Sequence, residues 1–227
     1  MRLVPTSTPA AQPPLILRLS VTDQVLCELR RRILHGVIEG GEPIPESQCA
    51  ETLGVSRVPV REALLMLERE GLLQRDRRGR TVARTLGGRD YEEILTLRLE
   101  VEGMAARLCA DARTEQDLEA LESNIAAFAA AKSAEELASL DAEFHGILCS
   151  ASGHRWLLTA WSTIRWPFEA LLVKNFRSYI LATSLEESKV STEDHRRIVE
   201  AIRSRKPHES ELLVRQHISR WTDWKPA

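Results

Sequence analysis

Asp141 and His145 stand four residues apart in a stretch with helical apolar spacing, so both project from one face of a helix. His195 and His217 interrupt two further helical patterns, as Asp194-His195 and Gln216-His217. Helices packed in a bundle could carry those two imidazoles to the same point as Asp141 and His145. One carboxylate with three imidazoles would suit Zn²⁺, Ni²⁺, Mn²⁺ or Fe²⁺ and leave coordination positions open for water or a ligand. Taken singly, a histidine in a helical bundle is more often a partnered core or surface residue. His35, His154 and His208 are read that way, and spacing alone does not bring three distant helices together.

A second set of residues is suited to nucleic acid. In Ala50-Glu51-Thr52-Leu53-Gly54-Val55-Ser56-Arg57-Val58-Pro59-Val60-Arg61-Glu62-Ala63, an apolar seam of Ala50, Leu53 and Val55 runs into a turn at Gly54. Ser56 is a good N-cap for a following helix, and Pro59 sits in its first turn, where a missing N–H costs little. Val60, Leu64, Leu67 and Leu72 then recur at helical spacing, while Arg57 and Arg61 project together near the N-terminal end. Recognition helices present their first turns to base edges and phosphates in this way.

Two short strands, Leu72 to Arg75 and Thr81 to Arg84, are predicted around the turn Asp76-Arg77-Arg78-Gly79-Arg80. Between Leu73 and Arg89 there are six arginines and one aspartate, in a chain of net charge −2. A basic hairpin beside a recognition helix makes a wing for phosphate or minor-groove contacts, with Arg77, Arg78, Gly79 and Arg80 at its tip. Helix-turn-helix shapes also occur as packing units, and arginine runs as solvated surface. The order of the pieces argues for DNA, and overall acidity does not oppose it, because a duplex meets the local basic face.

The elements that must position these residues are mainly helical. The chain has 227 residues, 43% of them hydrophobic, enough for two modest domains. Residues 1–19, with Pro5, Pro9, Pro13 and Pro14, are expected to be a flexible arm, lacking a signal-peptide apolar region. Residues 20–85 read as a winged helix-turn-helix, 86–90 as a linker around Gly87-Gly88, and 91–227 as an antiparallel bundle of six or seven helices. The ambiguity lies at Pro167, expected to break the helix running from His154 to Tyr179. No run is long and apolar enough for a membrane span. Cys27, Cys49, Cys109 and Cys149 are far apart and form no C-x-x-C pair, which fits a reduced, cytoplasmic protein.

Residues 21 to about 84 resemble the GntR family of bacterial winged-helix repressors. The likeness rests on Leu29-Arg30-Arg31-Arg32-Ile33-Leu34-His35-Gly36, Gly41, Ile44 and Glu46, then the run from Leu53 to Leu64, then Leu67-Glu68-Arg69-Glu70-Gly71-Leu72. It implies recognition-helix contacts by Ser56, Arg57, Pro59 and Arg61 and a wing tip at Gly79. Ser47 stands where many members carry arginine, and Cys49 replaces a usual leucine as a small core hydrophobe.

Residues 91 to 220 resemble the FCD effector domain of the FadR subfamily, in its metal-binding, VanR-like form. Metal-binding members carry Asp-x-x-x-His and two further histidines; here the intervals are 4, 50 and 22 residues. Leu97-Arg98-Leu99-Glu100-Val101-Glu102 and Asp194-His195-Arg196-Arg197-Ile198-Val199-Glu200-Ala201-Ile202 match the same domain. By that likeness Asp141, His145, His195 and His217 hold a divalent ion, zinc foremost, and Arg98 is the candidate grip for an effector carboxylate. An intrahelical pair with Glu102, four residues on, is the other reading of Arg98. Trp156, Trp161 and Trp166, spaced by five, are core or dimer-contact residues, or one of them lines an effector pocket.

The combined expectation is a homodimeric regulator, a repressor by default, on a roughly palindromic double-stranded DNA operator. One recognition helix covers too few base pairs to single out a promoter, and a twofold pair doubles the readout. A small carboxylate at the metal site would tune operator affinity by favouring one arrangement of the domains. The rival readings are a metal-dependent hydrolase fused to a DNA-binding module, and a regulator whose metal is purely structural. No evident general base and no G-x-S-x-G motif supports the hydrolase.

Overall fold

The computed structural model describes residues 19–220. The expected N-terminal arm, apart from Leu19, and the chain beyond Arg220 lie outside the described residues.

Helix α1 (Val21–Leu34) opens on a reciprocal cap, in which the Ser20 hydroxyl accepts the Asp23 N–H and Asp23 accepts from the Ser20 backbone. Its buried face, Val25, Leu26 and Leu29, packs against Val60, Ala63, Leu64 and Leu67 of α3 (Arg57–Arg69). The short α2 (Glu46–Leu53) ends at Gly54, whose φ of 66° is the left-handed conformation the turn requires. Strands β1 (Leu73–Arg75) and β2 (Thr81–Ala83) pair antiparallel with Gln74 opposite Val82, each a residue shorter than the expected strands. Pro43 bridges to Val82 and ties the loop before α2 onto the hairpin.

Among the described residues six α-helices follow, α4 (Gly88–Ala112), α5 (Glu115–Ala130), α6 (Ala134–Ala151), α7 (Arg155–Ala182), α8 (Ser191–Arg203) and α9 (Pro207–Arg220), with a short 3-10 helix (Glu187–Val190) before α8. Helix α4 starts at Gly88, inside the 86–90 stretch. Side chains of Thr114, Ser133 and His154 cap α5, α6 and α7, so each short connection ends in a satisfied helix start. Helix α4 lies against α9, α6, α7 and α8, and the core between them holds Phe128, Phe144, Leu148, Phe168, Phe176, Ile198, Ile202 and Ile218. The fold is mainly α throughout, with one two-stranded sheet among the described residues.

Pro167 corrects one expectation, since α7 runs unbroken from Arg155 to Ala182 with the proline inside it. A mid-helix proline costs about 3 kcal/mol. Trp161, Ile164, Phe168, Leu171 and Leu172 are all buried around it, each worth about 1.5–3 kcal/mol. The apolar face outweighs the missing hydrogen bond, and the helix continues.

Candidate metal centre and DNA-facing surface

The DNA-facing candidates gather at one end of the chain. Ser56 is the N-cap residue of α3, but its hydroxyl makes no capping bond and is exposed. Arg57 is 70% exposed and meets Glu46 only at 3.4 Å. Arg61 is exposed one turn on, while Pro59 is half-buried beside the buried Val60. In the wing, Arg77 and Arg78 are exposed and Gly79 has a φ of 75°. Arg80 is pinned, its Nε donating to Asp76 at 2.8 Å. Asp76 also accepts the backbone N–H of Arg78 and Arg80, each at 2.9 Å, and these contacts hold its carboxyl below the usual range. Sequence reasoning counted Asp76 only as one charge against six. Its position three residues before Gly79 in a tight turn was the available signal.

The histidine cluster is the opposite kind of place. Helix α6 carries Asp141 and His145, α8 carries His195 and α9 carries His217, and all four are buried. One ligand atom from each lies within 4.8 Å of the others. His145 Nε2 is 3.3 Å from His217 Nε2, and Asp141 oxygens are 3.6 Å from His195 Nε2 and 4.0 Å from His217 Nε2. The bundle thus brings the quartet together from three helices.

Two acidic residues orient the outer histidines. Glu102 Oε2 lies 2.5 Å from His145 Nδ1, and Asp194 Oδ2 lies 3.4 Å from His217 Nδ1. Each carboxylate favours the tautomer with its proton on Nδ1, which leaves the Nε2 lone pair for the cluster interior. Glu102 is anchored by Arg98 at 2.5 and 3.1 Å, and Asp194 by Arg220 at 2.9 Å. Glu102 and Asp194 stand in the sequence motifs with no mark of an orienting role. Adjacency to His195 was the only signal for Asp194, and Glu102 needed α4 placed beside α6.

His195 has no such partner. Its ring stacks on Phe144 at 3.9 Å and 9° and meets the edge of Phe128. Both of its nitrogens are buried without a hydrogen bond. Burial pushes the three histidines below the usual imidazole range, His195 furthest, because the charged form is poorly solvated there. Burial also raises Asp141. Burial opposes ionisation of Glu102, but Arg98 and His145 outweigh it and hold that carboxyl at about 2.

The three carboxyl groups are therefore not partnered alike. Glu102 and Asp194 each have a guanidinium, whereas Asp141 has only histidines within ion-pair distance among the described residues. A buried carboxyl and three imidazoles that burial biases toward the neutral form, one of them without a hydrogen bond, fit a divalent cation, and the cluster could hold one.

Arg98 is 2% exposed, its side chain bonded to Glu102 and its guanidinium carbon 3.6 Å above the Phe168 ring. The intrahelical pair is the reading of Arg98 that the geometry shows, and that pair abuts His145. Trp161 is buried beside His145, with ring centroids 6.0 Å apart, and its indole N–H has no partner. Trp166 is half-buried under Arg30 at 4.1 Å, and Trp156 is exposed.

Residues 21–82 match the profile of bacterial regulatory proteins, gntR family, and residues 93–220 match the FCD domain. The Nta operon transcriptional regulator of Aminobacter aminovorans is 31% identical, covering 81% of this chain and 84% of its own. The gluconate operon transcriptional repressor of Bacillus licheniformis is 28% identical, over 83% and 78%. Among solved structures, E. coli McbR/YncC superposes with a TM-score of 0.70 at 21% identity, covering 89% of this chain and 95% of that one. Both curated relatives are named for transcriptional regulation, which favours the regulator over the hydrolase reading. With a winged unit followed by a six-helix bundle, the chain belongs to the gntR family of bacterial regulatory proteins and is a DNA-binding transcriptional regulator, not an enzyme, carrying an FCD domain.

Proposed function

We propose that this regulator is a homodimeric repressor whose operator affinity is set by a small carboxylate held at a divalent ion in the bundle. Asp141, His145, His195 and His217 would hold the ion, zinc foremost with nickel, manganese and iron as alternatives. The observation that carries the reading is His195, buried with both ring nitrogens unsatisfied in reach of three further donors. Buried polar atoms normally find a partner, and with three further ligand atoms in reach an ion from outside the chain would supply one here. When bound, the ion supplies a Lewis-acidic position for a carboxylate oxygen.

The protein's own residues do the rest. Glu102 and Asp194 fix two imidazoles before any ligand arrives, and Phe144 fixes the third by stacking. Arg98, bonded to the glutamate that meets His145, would grip a carboxylate with two parallel hydrogen bonds, in exchange for part of its pair with Glu102. Two relatives are named as gluconate operon repressors, and gluconate is itself a small carboxylate. On the DNA side, Ser56, Arg57, Pro59 and Arg61 would enter the major groove, and Arg77, Arg78, Gly79 and Arg80 would follow the phosphates. Contacts from two copies would sum on a palindromic site.

A second reading keeps the regulator and makes the ion structural. The seal on Arg98 and Glu102, 2% and 0% exposed, favours it. Metal removal separates the two, since a ligand response lost in a folded protein supports sensing and unfolding supports a structural ion, and the role of Arg98 is tested beside it. An operator fragment is selected from DNA upstream of the protein's own gene, and carboxylates are screened for release of wild type and Arg98→Ala. Release lost in Arg98→Ala supports sensing. Full release in that variant rejects the role given to Arg98.

A further inference from the structure

A cavity of about 310 Å³ lies between the winged unit and the bundle, away from both surfaces described so far. Its apolar wall is shared, with Leu34, Leu72 and Leu86 on one side and Ala170 and Val173 of α7 on the other. The charged residues around it are Arg84, Lys174 and Arg177, against one carboxylate, Glu39. Arg84 is paired with Asp90 at 3.0 Å, and Arg177 with Glu135 at 2.5 Å. Arg177 also donates to the His35 carbonyl at 3.0 Å. Lys174 differs from both. Its ammonium meets the Leu86 carbonyl at 3.4 Å, and among the described residues no carboxylate lies within 4.0 Å of it.

We propose that this cavity binds a small amphipathic anion, its apolar body against Leu72, Leu86 and Val173 and its anionic head on Lys174. The size is at the low end for ligand pockets, about 300–1,000 Å³, which limits the guest to a compact molecule. The shape of the charge supports an anion, because Lys174 is the cation of this cavity left without a counter-ion. Each wall belongs to a different unit, so a guest touches both at once. Helix α7 also carries Trp161 beside His145 and Trp166 under Arg30 of α1. A molecule wedged there acts on operator affinity to the extent that it prefers one arrangement of the two units.

The site is independent of the histidine cluster, and the test keeps them apart. Full-length protein is titrated calorimetrically with hexane-1-sulfonate, a sulfonate being a poor metal ligand, and with uncharged 1-hexanol. One saturable site per chain is expected for the sulfonate, with binding weaker by about tenfold or more for the alcohol and for Lys174→Glu. Ala170→Leu, which fills the wall, is expected to abolish binding, with Ala170→Val in its place if the larger side chain prevents folding. Asp141→Asn is expected to bind as wild type does, whatever its metal content. Absence of saturable binding overturns the proposal, as does binding that survives Lys174→Glu or the Ala170 variant. Loss in Asp141→Asn would move the ligand to the histidine cluster and equally overturn it.

Discussion

The tip of α3 and the histidine cluster both concentrate charge, and they treat it in opposite ways. Arg57 and Arg61 stand in solvent with at most one long contact to Glu46, so their guanidiniums are available to an incoming phosphate or base. In the proposed contact with a duplex, release of counterions would supply much of the affinity, with no prior organisation needed. Inside the bundle, Arg98, Glu102, His145, His217, Asp194 and Arg220 form a chain in which each group leans on the next. Desolvation makes a stray charge costly there, so orientation is built in before binding. The contrast is between a surface left free, as the proposed DNA contacts require, and a site held fixed, as the proposed ion requires.

Glu102→Ala should break that contrast most severely. It strands the Arg98 guanidinium in the core, a loss of about 3–5 kcal/mol in urea unfolding, and it frees His145 to turn. A loss below about 1 kcal/mol would mean that the pair is not what organises the site. Arg57→Ala with Arg61→Ala should do the reverse, removing about 1–3 kcal/mol of DNA binding per residue and flattening the salt dependence. Its thermal unfolding should match wild type, as expected for exposed residues. A folded-state defect would show that these arginines serve packing.

Mild acid should act chiefly on the cluster. The three histidines are depressed by burial, so the folded, metal-stripped protein binds fewer protons than the unfolded chain. Their contribution to stability is then present above the unfolded value of about 6.5 and is lost as pH falls through and below it. Asp141, raised by burial, works the other way as it takes up its own proton. Melting temperature should therefore fall between about pH 7.5 and 5.5, and a flat profile would contradict the buried, neutral assignment. The smallest effect belongs to Glu46→Gln, which removes an exposed 3.4 Å pair and should change stability by less than about 1 kcal/mol.

Much of this was legible in the residues. The order of Gly54, Ser56, Arg57, Pro59 and Arg61 followed by a basic hairpin is local information, and local geometry expresses it. The intervals among Asp141, His145, His195 and His217 were equally visible, but their convergence depends on how α6, α8 and α9 pack. The same is true of Glu102, whose i,i+4 partner Arg98 was plain while its neighbour on α6 was not. Pro167 misled because a local rule was set against a buried face contributed by distant helices. Asp76 was overlooked for the opposite reason, as a single side chain satisfying a turn inside a run read only for charge.

The most direct test of control from the cluster is operator binding by one wild-type preparation, followed by fluorescence anisotropy before chelation, after chelation and after zinc is restored. Each sample carries the carboxylate found by screening, and circular dichroism checks the fold. Release of the operator in the zinc-loaded protein and retention in the stripped, folded protein is the expected result. Equal release in both would contradict sensing at Asp141, His145, His195 and His217.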